Sequence, residues 1–145
     1  MHIDSPAFEQ HQPIPKKYTC EGDNISPPLT FNDLPKNTKS LALIMDDPDA
    51  PSGTIDHWIA WNLSPDNTDL SEGAAVPKEG KNSYKVNGYK GPCPPPGKAH
   101  RYFFKLYALD SLMDLPVGMS KKDLEKAIEG HVLGKAELVG TYQRH

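Results

Sequence analysis

Apolar runs of strand length recur along the first half of the chain and are separated by turn signals. Residues 40–45 are almost wholly apolar, which is typical of a strand that is buried on both faces. Residues 58–63 have the same character, and residues 29–31 form a shorter run directly after a Ser-Pro-Pro turn. The pattern therefore predicts three β-strands in this part of the chain.

The second half of the chain carries one long alternating run and a shorter one near its end. Between residues 102 and 109 successive side chains fall on opposite faces of a strand. The alternation places four apolar residues on one face, namely Tyr102, Phe104, Leu106 and Ala108. Residues 137–142 predict a final strand.

One segment between these two strands has the marks of a helix. Ser120 can cap the amides of a first turn, and Asp123 completes an approximate capping box. The apolar stripe that follows consists of Leu124, Ala127, Ile128 and His131. Gly134 is a residue that can end a helix in the left-handed conformation, so we predict a helix over residues 121–133.

The order of these elements favours one fold class. Many short strands, long Pro-rich connections and one late helix predict a mainly β fold, a Greek-key-like β-sandwich with its main helix near the C-terminus. The chain has 11 glycines and 15 prolines among 145 residues, below the share of about 25–30% that is typical of low complexity. Since no repeat, charge block or flexible linker divides the sequence, we expect one domain over residues 1–145.

Charge and hydropathy narrow the range of partners. The formal net charge of −3 shows no basic excess, so we expect no nucleic-acid partner. The longest apolar stretch is far shorter than the roughly 20 residues that cross a bilayer, so we expect no transmembrane segment. Residues 1–5 carry neither the basic region nor the apolar region of a signal peptide. These features predict a soluble, cytoplasmic protein.

Clusters of polar residues follow the apolar runs, at the ends of the predicted strands. The first cluster is Asp-Asp-Pro-Asp-Ala-Pro at residues 46–51, and the second is Asp-His-Trp at residues 56–58. The third begins with Gly-Pro-Cys-Pro-Pro-Pro-Gly at residues 91–97 and continues into His-Arg-Tyr at residues 100–102. Because strand ends deliver polar groups to a common rim and prolines fix the backbone, we expect a rigid pocket for a small, polar, anionic group.

The side chains of these clusters suit the recognition of phosphate. Phosphate oxygens accept hydrogen bonds, and the imidazoles of His57 and His100 together with the phenol of Tyr102 supply N–H and O–H donors. Asp47 can accept a hydrogen bond from a histidine and fix its tautomer. Asp49 or Asp46 could instead meet the ammonium group of an ethanolamine headgroup.

The same ordered blocks resemble the phosphatidylethanolamine-binding protein family, also called Raf kinase inhibitor-like proteins. The resemblance extends from Asp-Asn-Ile-Ser-Pro-Pro at residues 23–28 to Leu-Val-Gly-Thr-Tyr at residues 138–142 and is greatest to the compact prokaryotic branch. It implies a β-sandwich with a pocket for phosphate or phospholipid headgroups, and inhibition of serine proteases or kinases in some members. A homodimer is consistent with this branch.

The resemblance also implies which residues bind the ligand. The pocket acids of the family fall on Asp47 and Asp49, and its pocket histidines and tyrosine fall on His57, His100 and Tyr102. The proline wall of the family falls on Gly91 and Pro92. We therefore expect a non-catalytic binding protein that has no metal or other cofactor.

Two other functions are compatible with these residues. Two histidines and one carboxylate resemble the facial triad that holds iron or another divalent ion. Alternatively, Cys93 could be the nucleophile of a hydrolase or acyl transferase, with His57 or His100 as the base. Cys93 lies between two prolines, and no helix N-terminus is evident that would activate it. Cys20 and Cys93 form no C-x-x-C motif, and whether they form a disulfide remains open.

Overall fold

The structure, a computed structural model that describes residues 1–145, contains two antiparallel β-sheets. The smaller sheet has three short strands in the order β1-β2-β5. These strands are β1 (His2–Asp4), β2 (Leu29–Asn32) and β5 (Asp69–Leu70). A short 3-10 turn, Lys16–Tyr18, lies between the first two strands in the chain.

The larger sheet has five strands in the order β6-β4-β3-β7-β8. They are β3 (Ser40–Asp47), β4 (Ile55–Leu63), β6 (Lys78–Glu79), β7 (His100–Leu109) and β8 (Val132–Tyr142). The chain moves from β6 at one edge to β7, which pairs with β3 in the middle of the sheet. Chain order and sheet order therefore differ, as Greek-key-like crossings require.

The larger sheet is buried on both faces. One face packs against the smaller sheet around large side chains such as Trp58, Tyr102 and Phe104. The other face packs against the helix through residues such as Ile44 and Trp61. Every residue of β3 is buried, as its continuous apolar run predicted.

The one α-helix, α1 (Lys121–Ile128), begins as predicted but ends earlier. The side chain of Ser120 accepts a hydrogen bond from the backbone N–H of Asp123, and the carboxylate of Asp123 accepts one from the backbone N–H of Ser120. The prediction that the helix extends to residue 133 is wrong. Gly130 is the left-handed residue after the helix, with a φ of +78°.

The early end of the helix is explained by strand pairing. Val132 pairs with Leu109, and Gly134 pairs with Ala108 on β7. The predicted C-terminal glycine is thus a strand residue, and β8 begins five residues before the predicted start of the final strand. The long-range ladder with β7 overrides the local preference for helix.

The mainly β architecture with two sheets and one late helix confirms the predicted fold class. Cys20 and Cys93 form a disulfide, which answers the question that the sequence left open. The bridge ties the segment around the 3-10 turn to the Pro-rich stretch before β7. None of the helices combines the length and the apolar character that crossing a membrane requires.

Candidate functional site

A cavity of about 320 Å³ lies at one end of the larger sheet, where β3 ends and β4 and β7 begin. Its polar lining residues are Asp47, Ser52, His57, Tyr84, His100 and Tyr102. Its remaining lining residues are Ala50, Pro51, Ile55, Cys93, Pro94 and Pro95. Four of the predicted site residues are thus brought together, namely Asp47, His57, His100 and Tyr102. We refer to this cavity as the main pocket.

A β-bulge brings His57 to the main pocket. Met45 of β3 lies opposite Trp58 of β4, whereas the next residue, Asp46, lies opposite Asp56. His57 is therefore the extra residue of β4, and a bulge changes the direction in which such a side chain points. Strict alternation along β4 does not predict this position.

The imidazole of His57 is buried and held by the backbone. Its Nδ1 lies 2.6 Å from the carbonyl oxygen of Lys90. Because a carbonyl only accepts, Nδ1 carries the proton, and Nε2 is the ring nitrogen that is available to a ligand. Burial lowers the pKa of His57 below its usual 6.5, so the neutral ring is favoured near pH 7.

His100 and Asp47 form a buried pair beside it. Nδ1 of His100 lies 2.7 Å from Oδ2 of Asp47, and both side chains are almost fully excluded from solvent. Oδ1 of Asp47 accepts a hydrogen bond of 2.8 Å from the backbone N–H of Asp49. Both oxygens of Asp47 therefore have protein donors, and the pair fixes the orientation of the His100 ring.

The hydroxyl of Tyr102 is buried without a hydrogen-bond partner in the protein. The residue has 0% exposure, and its ring contacts the ring of His57 edge-on at 5.3 Å between centroids. Burial, followed by the negative charge of Asp47, raises the pKa of the phenol well above its usual value. Tyr102 is therefore a protonated donor in the wall of the pocket, and a ligand oxygen could satisfy it.

Asp49 lies outside the lining of the main pocket. Its two carboxylate oxygens accept hydrogen bonds from Nε and Nη2 of Arg101, at 2.9 and 2.8 Å. The backbone N–H of Arg101 donates to the same carboxylate at 2.9 Å. The hydrogen bonds from Arg101 lower the pKa of Asp49 to about 2. Asp49 thus connects the loop after β3 to β7, and its role as a ligand-binding residue gains no geometric support.

Asp46 points to the other face of the sheet. Its Oδ2 lies 3.1 Å from Nζ of Lys105 and 3.2 Å from Nζ of Lys121, the first residue of α1. Lys121 also lies 2.8 Å from Oδ1 of Asp56. Because two lysine ammonium groups already pair with the buried Asp46, the alternative in which Asp46 meets a ligand ammonium group gains no geometric support.

Gly91 and Pro92 do not line the main pocket, although Gly91 lines a smaller adjoining cavity of about 270 Å³. The backbone N–H of Gly91 donates to Oδ1 of Asn24 at 2.7 Å, and the carbonyl of Pro92 accepts from the N–H of Cys20 at 3.1 Å. A Cβ at position 91 would collide with the carbonyl oxygen of Tyr18, which explains the need for glycine there. The next three residues, 93–95, form the wall itself.

Tyr84 is an aromatic lining residue that sequence reasoning missed, as it missed Ser52 and Ile55. Its ring centroid lies 5.8 Å from that of His57, and the residue is 42% exposed at the pocket mouth. It belongs to a tight loop over residues 81–87, in the long connection between β6 and β7, and it is the one aromatic residue of that loop. No periodic pattern marks such a position, and only the fold brings it to the site.

The geometry of the site also bears on the two alternative functions, a hydrolase with Cys93 as nucleophile and a metal-binding protein. The sulfur of Cys93 is bonded to Cys20, so no thiol is present to act as the proposed nucleophile. The structure contains no group of three or more His, Cys, Asp or Glu side chains with a geometry that could hold a metal ion.

The sequence matches known proteins over nearly its whole length. A family model described as "Phosphatidylethanolamine-binding protein" matches residues 4–143. A UPF0098 protein of Methanothermobacter thermautotrophicus is 50% identical over an alignment of 153 residues that covers 99% of each chain. A UPF0098 protein of Chlamydia trachomatis is 47% identical over 150 residues, again covering 99% of each chain.

Two solved structures share the fold. One is CT736 of Chlamydia trachomatis, a phosphatidylethanolamine-binding protein homolog, with a TM-score of 0.95 and 45% sequence identity over 99% of this chain and 97% of that one. The other is YbcL of E. coli, described as a new member of the mammalian PEBP family, with a TM-score of 0.91 and 28% identity. That match covers 99% of this chain and 98% of YbcL.

Proposed function

The chain belongs to the phosphatidylethanolamine-binding protein family, and from this premise we propose that it binds a phosphate-like group in the main pocket without carrying out chemistry on it. The observation that carries the proposal is the buried hydroxyl of Tyr102, which lines the pocket and has no acceptor in the protein. A buried donor without a partner costs about 1–3 kcal/mol. A phosphate oxygen in the pocket removes that cost.

The polar groups around Tyr102 suit a singly protonated phosphate. The neutral ring of His57 offers Nε2 as an acceptor, because its Nδ1 donates to the backbone. An acceptor repels a fully ionised oxyanion but can accept a hydrogen bond from a phosphate O–H. The carboxylate of Asp47 also favours the singly protonated phosphate, since its negative charge disfavours a second negative charge on the ligand.

The pH dependence of binding follows from these groups. As the pH falls, doubly charged phosphate takes up a proton and becomes singly charged. At still lower pH, His57 gains a second N–H that can donate a hydrogen bond to the ligand. Burial lowers the pKa of His57, so the contribution of this residue begins below the usual 6.5. Both changes strengthen binding, and affinity for phosphate is expected to rise from pH 8 to pH 6.

Two observations support a role without catalysis. The pocket sulfur, Cys93, is part of a disulfide, and a raised pKa keeps the phenol of Tyr102 protonated. Neither group is an activated nucleophile.

Three further expectations stay predictions. The family resemblance implies inhibition of a serine protease or kinase and is consistent with a homodimer, whereas the hydropathy of the sequence and its first five residues predict a cytoplasmic location. The disulfide bears on the last of them, because structural disulfides are typical of oxidising compartments and of the intracellular proteins of hyperthermophiles.

The proposal is tested by removing each imidazole in turn. We expect His57→Ala and His100→Ala each to weaken the binding of inorganic phosphate by about 10- to 100-fold, which corresponds to one hydrogen bond to a charged group. The measurement is isothermal titration calorimetry at pH 6. The matched control is His131→Ala, because His131 pairs with Asp110 away from the main pocket and should leave the affinity unchanged.

The fold of each variant is followed by urea unfolding. Cooperative unfolding with lost phosphate binding supports the ligand role of that histidine. Loss of cooperative unfolding in either variant reassigns that histidine to a structural role. Undiminished affinity in both variants overturns the proposed site.

A further inference from the structure

An ion cluster lies on the face of the larger sheet that α1 covers, and it borders residues of the main pocket. Nζ of Lys121 lies 3.2 Å from Oδ2 of Asp46 and 2.8 Å from Oδ1 of Asp56. Asp46 directly precedes Asp47 in β3. Asp56 directly precedes His57 in β4. A single lysine therefore connects the neighbours in sequence of two pocket residues.

The two carboxylates of this cluster lie opposite each other on neighbouring strands. Asp46 of β3 pairs with Asp56 of β4 in the antiparallel ladder. Like charges that are directly opposite destabilise such a pair, and the side chain of Asp46 is only 3% exposed, so water screens the repulsion poorly. Lys105 contacts Asp46 alone. The ammonium group of Lys121 is the one that contacts both acids and offsets their repulsion.

This opposition of two acids exists only in the bulged register of β4. Met45 of β3 lies opposite Trp58 of β4. Without a bulge the next pair along the ladder would be Asp46 and His57, whereas the observed pair is Asp46 and Asp56. Opposite residues share one face of a sheet, so a regular ladder would turn His57 toward α1 and away from the main pocket.

The backbone of β4 carries the mark of the same register. The carbonyl of Asp56 accepts a hydrogen bond from the N–H of Ser83 at 2.9 Å, and the carbonyl of His57 accepts one from the N–H of Lys90 at 3.0 Å. Successive carbonyls of a regular strand point in opposite directions, but both of these bond to the connection that follows β6. That connection holds the bulge on one side, and Lys121 holds it on the other.

Lys121 is itself fixed in position by the start of α1. The capping box of Ser120 and Asp123 sets where the helix begins. The backbone N–H of Lys81 donates to the carbonyl of Met119 at 2.9 Å and ties this point to the loop over residues 81–87. The helix dipole disfavours a cation in the first turn, so the position of Lys121 breaks a local rule for which the two carboxylates compensate.

We propose that Lys121 is a positioning residue of the main pocket, which holds the bulged register by pairing with Asp46 and Asp56 and so directs His57 toward the ligand. Lys121 does not line the pocket and acts through His57. Its effect on phosphate affinity rests on the proposed function, whereas its effect on the register does not.

The test replaces Lys121 by methionine, which has a similar length and no charge. In the unmodified protein the Nδ1 proton of His57 is bonded to the carbonyl of Lys90, and we expect a protected ring N–H resonance by NMR. Lys121→Met is expected to lose this resonance in the absence of any ligand. It is also expected to weaken the binding of inorganic phosphate at pH 6 about tenfold in calorimetry, which corresponds to one hydrogen bond of the ligand.

Two further variants separate positioning from a loss of positive charge. The matched control is Lys122→Met, because the next lysine of α1 is exposed and takes part in no ion pair. It removes the same charge and should leave the ring resonance intact and the phosphate affinity within about twofold. Lys121→Arg should retain both properties, since a guanidinium can pair with two carboxylates.

A second substitution should rescue the first. Lys121→Met combined with Asp56→Asn removes the opposition of like charges, and the asparagine amide can donate to Asp46 across the ladder. We expect the protected His57 resonance to return and the phosphate affinity to lie within about threefold of the unmodified protein. Asp56→Asn alone should leave both properties unchanged, whereas a purely long-range effect of charge would tighten phosphate binding in that variant.

Urea unfolding checks that each variant is folded. Because Lys105 still pairs with Asp46, we expect Lys121→Met to unfold cooperatively. If methionine disrupts the fold, Lys121→Ala takes its place, since alanine favours the helix and admits water to the carboxylates.

The outcomes separate this inference from the proposed function. A protected His57 resonance in the neutral Lys121 variant overturns the inference, and a loss of affinity beside it means that Lys121 acts through charge alone. Failure of Asp56→Asn to restore the resonance overturns the inference as well. Failure of inorganic phosphate to bind the unmodified protein overturns the proposed function alone, because the ring resonance still decides the role of Lys121.

Discussion

Tyr102 combines complete burial with a hydroxyl that no group of the protein satisfies. Such a donor lowers stability and is retained where a ligand uses it. The neighbouring rings of His57 and His100 are each fixed through Nδ1, one by a carbonyl and one by Asp47. At the scale of single residues, the main pocket is therefore arranged before the ligand arrives.

Tyr102→Phe should separate stability from binding. We expect the free energy of unfolding to rise by about 1 kcal/mol, because the buried donor without a partner is removed. We expect the affinity for phosphate to fall about tenfold, because the ligand loses that donor. Urea unfolding and calorimetric titration measure the two effects.

The control for this substitution is Tyr107→Phe, on the opposite face of β7, which should leave phosphate affinity unchanged. A Tyr102→Phe protein that is less stable and binds phosphate as before would contradict the assignment of this hydroxyl to the ligand.

His57 should make the fold less stable in mild acid. Its pKa is lowered in the folded protein, while the unfolded chain has the usual value of 6.5. As the pH falls below about 6.5, the unfolded state takes up a proton that the folded state does not, so the free energy of unfolding decreases until the folded pKa is reached. His57→Gln should flatten this decrease between pH 7 and pH 5.

The exposed His2 provides the control for this pH effect, since His2→Gln should retain the slope of the unmodified protein. Identical slopes for the unmodified protein and His57→Gln would show that the His57 ring is not coupled to folding.

Asp49 affects stability in a separate, more acidic pH range. Its pKa of about 2 lies below its usual 3.8, so the stability that it provides is present above pH 3.8 and is lost toward pH 2.

The sequence predicted that Asp47, His57, His100 and Tyr102 lie close together because each stands within two residues of the end of an apolar run. The sequence assigned Asp47 and Asp49 the same ligand-binding role, although the two residues differ in what they contact. Asp49 pairs with Arg101, and this contact depends on β3 and β7 being neighbours in the sheet. Strand order is a long-range property that local pattern does not contain.

At the scale of elements, two features escaped the hydrophobic pattern for physical reasons. The bulge at His57 interrupts the period of two along β4, and a one-residue insertion in the ladder leaves no mark in the sequence. The end of α1 was misplaced because Val132 and Gly134 gain strand pairing with β7. The start of α1 could be predicted because Ser120 and Asp123 act locally.

The disulfide connects two elements that contribute to the site. It closes a sequence separation of 73 residues between the segment before β2 and the pocket wall. Replacing both cysteines by serine should lower the free energy of unfolding by about 4 kcal/mol, because the unfolded chain regains the freedom that the bridge removes. Urea unfolding with and without a reducing agent measures this effect.

Two comparisons check the role of the bridge. Reduced protein without substitutions should unfold at the same urea concentration as the double variant, and the reducing agent should not affect the variant itself. Equal stability of the oxidised protein and the double variant would mean that the bridge does not constrain the unfolded chain.

At the scale of the whole molecule, the larger sheet is covered by the smaller sheet on one face and by α1 on the other. This layered core makes the ends of β3, β4 and β7 a rigid floor, on which the Pro-rich loops form the walls of the main pocket. The fold class could be predicted because composition and strand patterning act over the full chain. The smaller cavity beside the disulfide, which Tyr84 and Val86 line, could not be predicted, since the loops that form it meet only in the fold.

A phosphate group in the main pocket is expected to be recognised through its protonated form. The most direct measurement is titration of inorganic phosphate followed by NMR of the His57 and His100 rings, carried out at pH 6 and at pH 8. The expected result is saturable shifts at both rings, with tighter binding at pH 6. Equal affinity at the two pH values, or saturable shifts confined to residues outside the pocket, would contradict it.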